Sequence, residues 1–304
     1  MSAAVALPQH QLHESPNVRG ITIHSWHITS STNPISNASQ LDALQSSLGI
    51  PLPEMTFGSN YLELEHRPTR FKYRFSTPDL LSGVKNGELQ EGDGGVKVGY
   101  ADAWLKSRTG PDSSLPMPET VPTKPYDWTY TTTHPGTALP AENSDFNWKP
   151  ADPENQAHSI PMAELRRPDP IMFYSEIPLF EDELHDNGSS NLLVRIRVMP
   201  TCIFVLARFT LRVDGVLFRT YDTRLYHSFE SNPPLLVRES SGWEGAYDRV
   251  KKSLPTRDDL TPLTDALFIA NTLAQMPSSY SQKEGAGTRW RGLGTKIEIA
   301  ELKN

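Results

Sequence analysis

One cysteine, nine histidines and several acidic groups are the side chains here that could carry catalysis or hold a metal. Cys202 sits in the apolar run Cys202–Ala207, where a thiol packs as a small hydrophobe rather than ionising as a nucleophile. His24 and His27 stand three apart, and a strand would turn them to opposite faces. With no cysteine or further histidine nearby, they do not make a ligand set. Gly292-Leu-Gly-Thr-Lys296 lacks the glycine-to-lysine spacing and the following hydroxyl of a phosphate loop, and reads as a glycine-rich turn. The acidic run Glu181, Asp182, Glu183 and Asp186 lacks the glycine and the final bidentate glutamate of a calcium loop. The expectation is therefore no catalytic residues, no metal and no cofactor.

Charge distribution says more than net charge, which is −7. Residues 173–186 hold Glu176, Glu181, Asp182, Glu183 and Asp186 with no Lys or Arg. Residues 195–224 then carry arginines 195, 197, 208, 212, 219 and 224, no lysine, and only two acids. Arginine without lysine suits fixed, bidentate pairing with carboxylates or phosphates. Two uses fit: pairing within the chain, acidic segment to arginine strands, or a docking surface for an acidic peptide.

The elements that must position these groups are strands and loops. Prolines number 26 in 304 residues, about 9% against the usual 5%, which disfavours long helices. Six consecutive apolar residues are the longest run, far short of the roughly 20 a spanning helix needs. A single cysteine fits a reducing compartment, and cytoplasmic location is expected. A pI near 5.7 argues against nucleic acid as the partner.

Along the chain, 1–19 reads as a flexible arm, followed by a weak strand at Ile21–Ile28. Residues 39–49 read as a helix with Ser39 and Asp42 at its start and Gly49 at its end. Leu62, Leu64, Phe71, Tyr73 and Phe75 alternate with charged residues as a hairpin, and Thr77-Pro-Asp79 starts a further helix. Val96 begins a strand-like stretch towards Trp104, 109–125 is a proline-rich insertion, and 134–160 is a long loop. Between these last two, Tyr126, Trp128, Tyr130 and Thr132 alternate as a strand with one aromatic face. Trp243, Tyr247, Val250 and Leu254 have helical spacing, which makes 241–304 a helical-and-strand extension ending in the strand Lys296–Ala300.

The strongest strand signal is 171–227. Val194, Ile196 and Val198 share a face, as do Ile203, Val205, Ala207, Phe209, Leu211 and Val213. Asp214-Gly215 is a favoured two-residue hairpin turn. With Val213 opposite Val216, Phe209 faces Thr220 and Ala207 faces Asp222. The inner face of the returning strand would then turn polar at Thr220 and Asp222, which points to a water-accessible cleft there or to a strand that ends early.

Six ordered blocks carry a resemblance: IPLPEMTFGSNYLELEH (50–66), KPYDWTYTT (124–132), LFEDELHDNG (179–188), IRVMP (196–200), RVDGVLFR (212–219) and DTRLYH (222–227). Together they resemble the TIPRL family (TOR signalling pathway regulator-like) over roughly 20–240, in a fungal member. The resemblance implies an α+β fold, mainly antiparallel sheets forming an open clam-like cleft, with short flanking helices and long loops, in a single domain over 20–304. It implies a non-enzymatic regulator of type 2A, 4 and 6 phosphatases acting in TOR signalling. The cleft would take the C-terminal tail of the catalytic subunit, and a further surface can meet the helical-repeat scaffold subunit. Carried onto this chain, the cleft positions fall at Asp79, Ile160, Thr220 and Asp222, with Thr220 departing from the larger apolar residue usual there. Arg219 and Arg224, beside them, are the candidates for docking an acidic partner. The rival readings are a scaffold that reaches the phosphatase only through a Tap-like adaptor, and an enzyme with a small ligand in its cleft, for which no acid–base set is visible.

Overall fold

The computed structural model describes residues 7–84, 128–142, 144–165, 170–256, 259–275 and 293–302. The proline-rich stretch 109–125, the strand-like Val96–Trp104 and the glycines at 285, 287 and 292 lie outside them. The described residues form two open antiparallel sheets with a few short helices, as expected for an α+β chain rich in proline.

The smaller sheet has the order β1 (His10–Ser15), β2 (Val18–Ile23), β3 (Trp26–Ser31), β5 (Tyr61–His66), β6 (Phe71–Ser76), β7 (Thr137–Leu139). The larger sheet runs β4 (Met55–Thr56), β9 (Phe173–Asp182), β10 (Gly188–Val198), β11 (Cys202–Val213), β12 (Leu217–Ser228), β13 (Leu235–Ala246), β14 (Leu293–Glu301), β8 (Lys149–Pro150). Strict alternation of apolar and polar residues makes each long strand two-faced. The inner faces of both sheets contribute to one core, from Ile21, Trp26, Leu64 and Phe75 on one side to Ile177, Val194, Val205 and Phe209 on the other.

Several sequence expectations change. The arm placed at 1–19 is structured from His10 onward, because β1 pairs with β2 in full register, His10 with Ile23 through Ser15 with Val18. In the loop 134–160, two short strands, β7 and β8, join the edges of the two sheets. Helix α1 (Ala38–Leu48) is capped by Asn37, two positions before Ser39: Asn37 Oδ1 accepts from the Gln40 amide while Gln40 Oε1 accepts from the Asn37 amide. Helix α2 (Thr77–Leu81) begins after a Ser76 cap. Trp243 belongs to β13, and the helix expected around it starts only at Tyr247. The region after 240 supplies the end of β13 and all of β14 to the larger sheet.

The segment 128–133 is the largest departure. It is not a strand with one aromatic face. Trp128, Thr129, Tyr130, Thr131 and Thr132 are all buried, and Tyr130 takes a positive φ of 53°. Its threonines bond to neighbours rather than to a ladder, a competition these side chains win when buried. The Ser190 hydroxyl donates to the Thr129 carbonyl (2.6 Å), Thr132 donates to the Leu80 carbonyl (2.9 Å), and Tyr130 donates to the Leu52 carbonyl (3.1 Å).

Candidate functional site

The hairpin joining β11 and β12 decides which way the candidate residues point. Asp214, Gly215 and Val216 form a three-residue loop, with Gly215 at φ 73° and the Val216 amide bonded to the Val213 carbonyl at 3.0 Å. Val213 therefore opposes Leu217, not Val216. A one-residue shift in register sends every following side chain to the other face. Tyr221, Arg219 and Thr223 lie inward with Phe209, Leu211 and Ala207, whereas Thr220 and Asp222 lie outward with Thr210 and Arg208. The polar break read at Thr220 and Asp222 thus belongs to the outer face of the larger sheet.

That outer face has three zones. At one end Ile160 packs with Val237 and Ile299, and with the partly buried Phe204, Tyr226 and Leu165. Ile160 is held there by the chain from β8 through the turn Gln156–His158 to the one-turn helix α3 (Met162–Leu165). At the other end Phe218 packs with Val250, Leu263, Ile269 and Leu273 of α4 (Tyr247–Lys252), the turn Thr261–Thr264 and α5 (Ala266–Ala274). Between them lies a polar strip.

Asp222 is the hub of the strip. Arg208 Nε donates to its Oδ1 at 2.7 Å and Arg208 Nη2 to its Oδ2 at 2.7 Å, a bidentate fork. Arg224 Nη2 also donates to Oδ2 at 2.7 Å, while Arg224 Nη1 donates to Glu239 (2.6 Å) and Ser241 (3.2 Å). Burial works against the Arg208 charge, but the bonds to Asp222 and its attraction hold the guanidinium above its ordinary pKa. Thr220 is buried beside the strip, opposite Thr210, whose hydroxyl is buried without a hydrogen-bond partner among the described residues.

The sequence-expected positions divide as follows. Ile160, Thr220 and Asp222 share the outer face; Asp79 does not join them through any of its hydrogen bonds. Its carboxylate accepts from Ser76 (2.7 Å) at the start of α2, and it lies near His134, whose pKa is lowered chiefly by burial and partly restored by the Asp79 charge. Arg219 is not a docking group: it is 1% exposed and bound to Glu244 inside the protein. Arg224 keeps 20% of its side chain exposed, but two of its nitrogens are committed to Asp222, Glu239 and Ser241. Pairing within the chain is thus the main use of these arginines, though among the described residues the acidic segment supplies only one such partner, Glu176 to Arg195 at 2.8 Å. Arg208 and Glu239 were not singled out by sequence, since the two-residue turn put Asp222 opposite Ala207.

Chemistry is sparse elsewhere. Cys202 is buried. Among the described residues there is no group of three or more metal-ligating side chains, and no helix is long and apolar enough to cross a membrane. A cavity of about 530 Å³ lies between α4 and α5, lined by Arg249, Lys252, Ser253, Phe268, Asn271, Thr272 and Gln275. What the outer face offers is a row of guanidinium and hydroxyl groups between two apolar patches.

Comparison with known proteins agrees with the resemblance in the six blocks. The model of the TIP41-like family matches residues 55–251. The chain is 40% identical over 220 residues to a TIP41-like protein of Homo sapiens, covering 72% of this chain and 74% of that protein. It is 37% identical over 264 residues to the type 2A phosphatase activator TIP41 of Saccharomyces cerevisiae, covering 82% and 70%. A TIP41-like protein of Dictyostelium discoideum is 34% identical over 257 residues, covering 84% and 88%. Identities to animal and yeast relatives are too alike to mark the chain as fungal.

Proposed function

Because this chain belongs to the TIP41-like family, we propose that it is a non-enzymatic regulator of type 2A protein phosphatases, binding the C-terminal tail of the catalytic subunit as an extended peptide. The observation that carries the reading is the outer face of the larger sheet, where Thr220 and Asp222 lie between the apolar cluster of Ile160 and that of Phe218. From the row of Tyr226 to that of Thr220 is six residues of strand, about 20 Å at 3.4 Å per residue, the span of a peptide of about six residues. Apolar anchors at the ends and a few placed polar groups between them are what recognition of an extended segment requires. The yeast relative's name, a type 2A phosphatase activator, supports the same partner class. Catalytic subunits of the 2A, 4 and 6 kinds, a contact with the helical-repeat scaffold, cytoplasmic location and action in TOR signalling complete the proposal.

Reconstitution from purified parts tests it. The chain is expected to bind the intact catalytic subunit directly and to lose most of that binding when the C-terminal tail is deleted. Undiminished binding to the tail-deleted subunit would sink the reading. Binding that appears only on adding a Tap-like adaptor would replace it with the bridged one.

A further inference from the structure

We infer that the partner is met on this face by the guanidinium groups of Arg208 and Arg224, that they bind carboxylate groups of the docked peptide, and that Asp222 is a positioning residue which does not touch it. This rests on the functional reading above and names the chemistry of its site.

The hydrogen bonds of the strip carry the inference. Both oxygens of Asp222 are taken: Oδ1 by Arg208, and Oδ2 by Arg208 and Arg224 together. The Glu239 carboxylate accepts from Arg224 through Oε1. Each guanidinium has five N–H donors, and donation to Asp222, Glu239 and Ser241 leaves Arg208 Nη1 and Arg224 Nε uncommitted among the described residues. The hydroxyl of Thr210, one row along, is also without a partner among the described residues. The strip thus presents unused guanidinium N–H groups, on side chains more exposed than the Asp222 carboxylate between them, beside one unused oxygen of Glu239, and such N–H groups recognise acceptors. Arg208 and Arg224 keep 11% and 20% of their side chains exposed, against 8% for Asp222. Their forks are held in place by the strand pairing of β11 with β12 and by Asp222 between them, so little freedom remains to be lost on binding. Carboxylate is the acceptor that best matches a fixed guanidinium, because it takes two parallel, charge-assisted bonds.

Fluorescence anisotropy with a labelled peptide of a type 2A catalytic-subunit tail separates this inference from the reading it rests on. No binding of that peptide by the parent chain overturns both. If the parent binds, Arg208→Lys, which keeps the charge but loses the fork, is expected to weaken binding about tenfold, and the more exposed Arg224→Gln about threefold. Each variant is checked for a melting temperature close to the parent's. Arg224→Gln serves as the second test should Arg208→Lys fold poorly. Two altered peptides then locate the carboxylate: one amidated at its C-terminus, one with its Asp and Glu replaced by Asn and Gln. At least one must bind the parent about tenfold more weakly, and that same peptide must show little further loss with Arg208→Lys. A merely structural role for Arg208 would weaken all the peptides alike. Equal binding of both altered peptides by the parent, or parent-like affinity in both arginine variants, overturns the inference.

Discussion

Arg219→Met is expected to destabilise the protein by about 3–5 kcal/mol, the usual cost of removing one partner from a buried ion pair. Arg219 is among the largest side chains fully enclosed in the fold, and it bonds through Nε and Nη2 to one oxygen of Glu244, at 3.0 and 2.6 Å. Its Nη1 donates to the Thr131 hydroxyl at 3.2 Å. Removing the guanidinium takes the Arg219 charge away from the Glu244 carboxylate, which is only 6% exposed. It also takes a bond from the irregular segment 128–133, which has no strand ladder to hold it. Urea denaturation should show the loss as a lower midpoint with the slope unchanged.

The double variant Arg219→Met, Glu244→Leu separates the two parts of that cost. It removes both charges together, and such replacements are often neutral or stabilising when packing is kept. It should therefore recover most of the loss. A cost below about 1 kcal/mol for the single variant would put the pair in the class of exposed salt bridges and would contradict the burial seen here.

Arg219 also shows which parts of the structure could be read in the sequence. Alternation located β10, β11 and β12 of the larger sheet but not β13, and the hairpin 62–75 came out with its faces correct, because period-2 patterning is set by burial of one face. The direction of Arg219, Thr220 and Asp222 depended on a single turn. Asp-Gly is at home in a two-residue loop, but Val216 joined the loop and was left 49% exposed at its tip, while Leu217 took the place in the core that Val216 was expected to fill. Nothing local distinguishes the two registers, since Val216 and Leu217 are both apolar. The partner strand decides: β13 brings Glu244 opposite Arg219 and Ser241 opposite Asp222. Those pairings join residues more than 18 apart, and no periodicity within β12 contains them. The same holds for Asp79, whose neighbour His134 comes from a segment that looked like loop.

A loss of about 3 kcal/mol of stability is expected between pH 6.5 and pH 4, and His227 is its main source. His227 of β12 is 4% exposed, and burial, aided by the nearby His66 and His24, lowers its pKa to about 4, against the opposing bond its Nδ1–H donates to the Leu235 carbonyl at 3.0 Å. His66 of β5, 3% exposed, is lowered by burial as well. The two rings belong to different sheets and flank the fully buried Trp26, at 4.9 and 5.0 Å between centroids. The sign follows from which state takes up the proton. Above pH 6.5 both imidazoles are neutral folded or unfolded, and they do not make stability depend on pH. Below it the unfolded chain protonates while the folded one resists, so stability falls until the folded pKa is reached. For His227 that gap of about 2.5 units corresponds to about 3 kcal/mol. Chemical denaturation at a series of pH values, followed by Trp fluorescence, measures the slope. His227→Gln keeps a donor for the Leu235 carbonyl but cannot titrate, so its stability should decline much less over the same interval, with the residue due to His66. An undiminished decline in this variant would assign the acid sensitivity to the carboxylates of the ion pairs instead, and would mean that the contact between the two sheets at Trp26 tolerates an added charge.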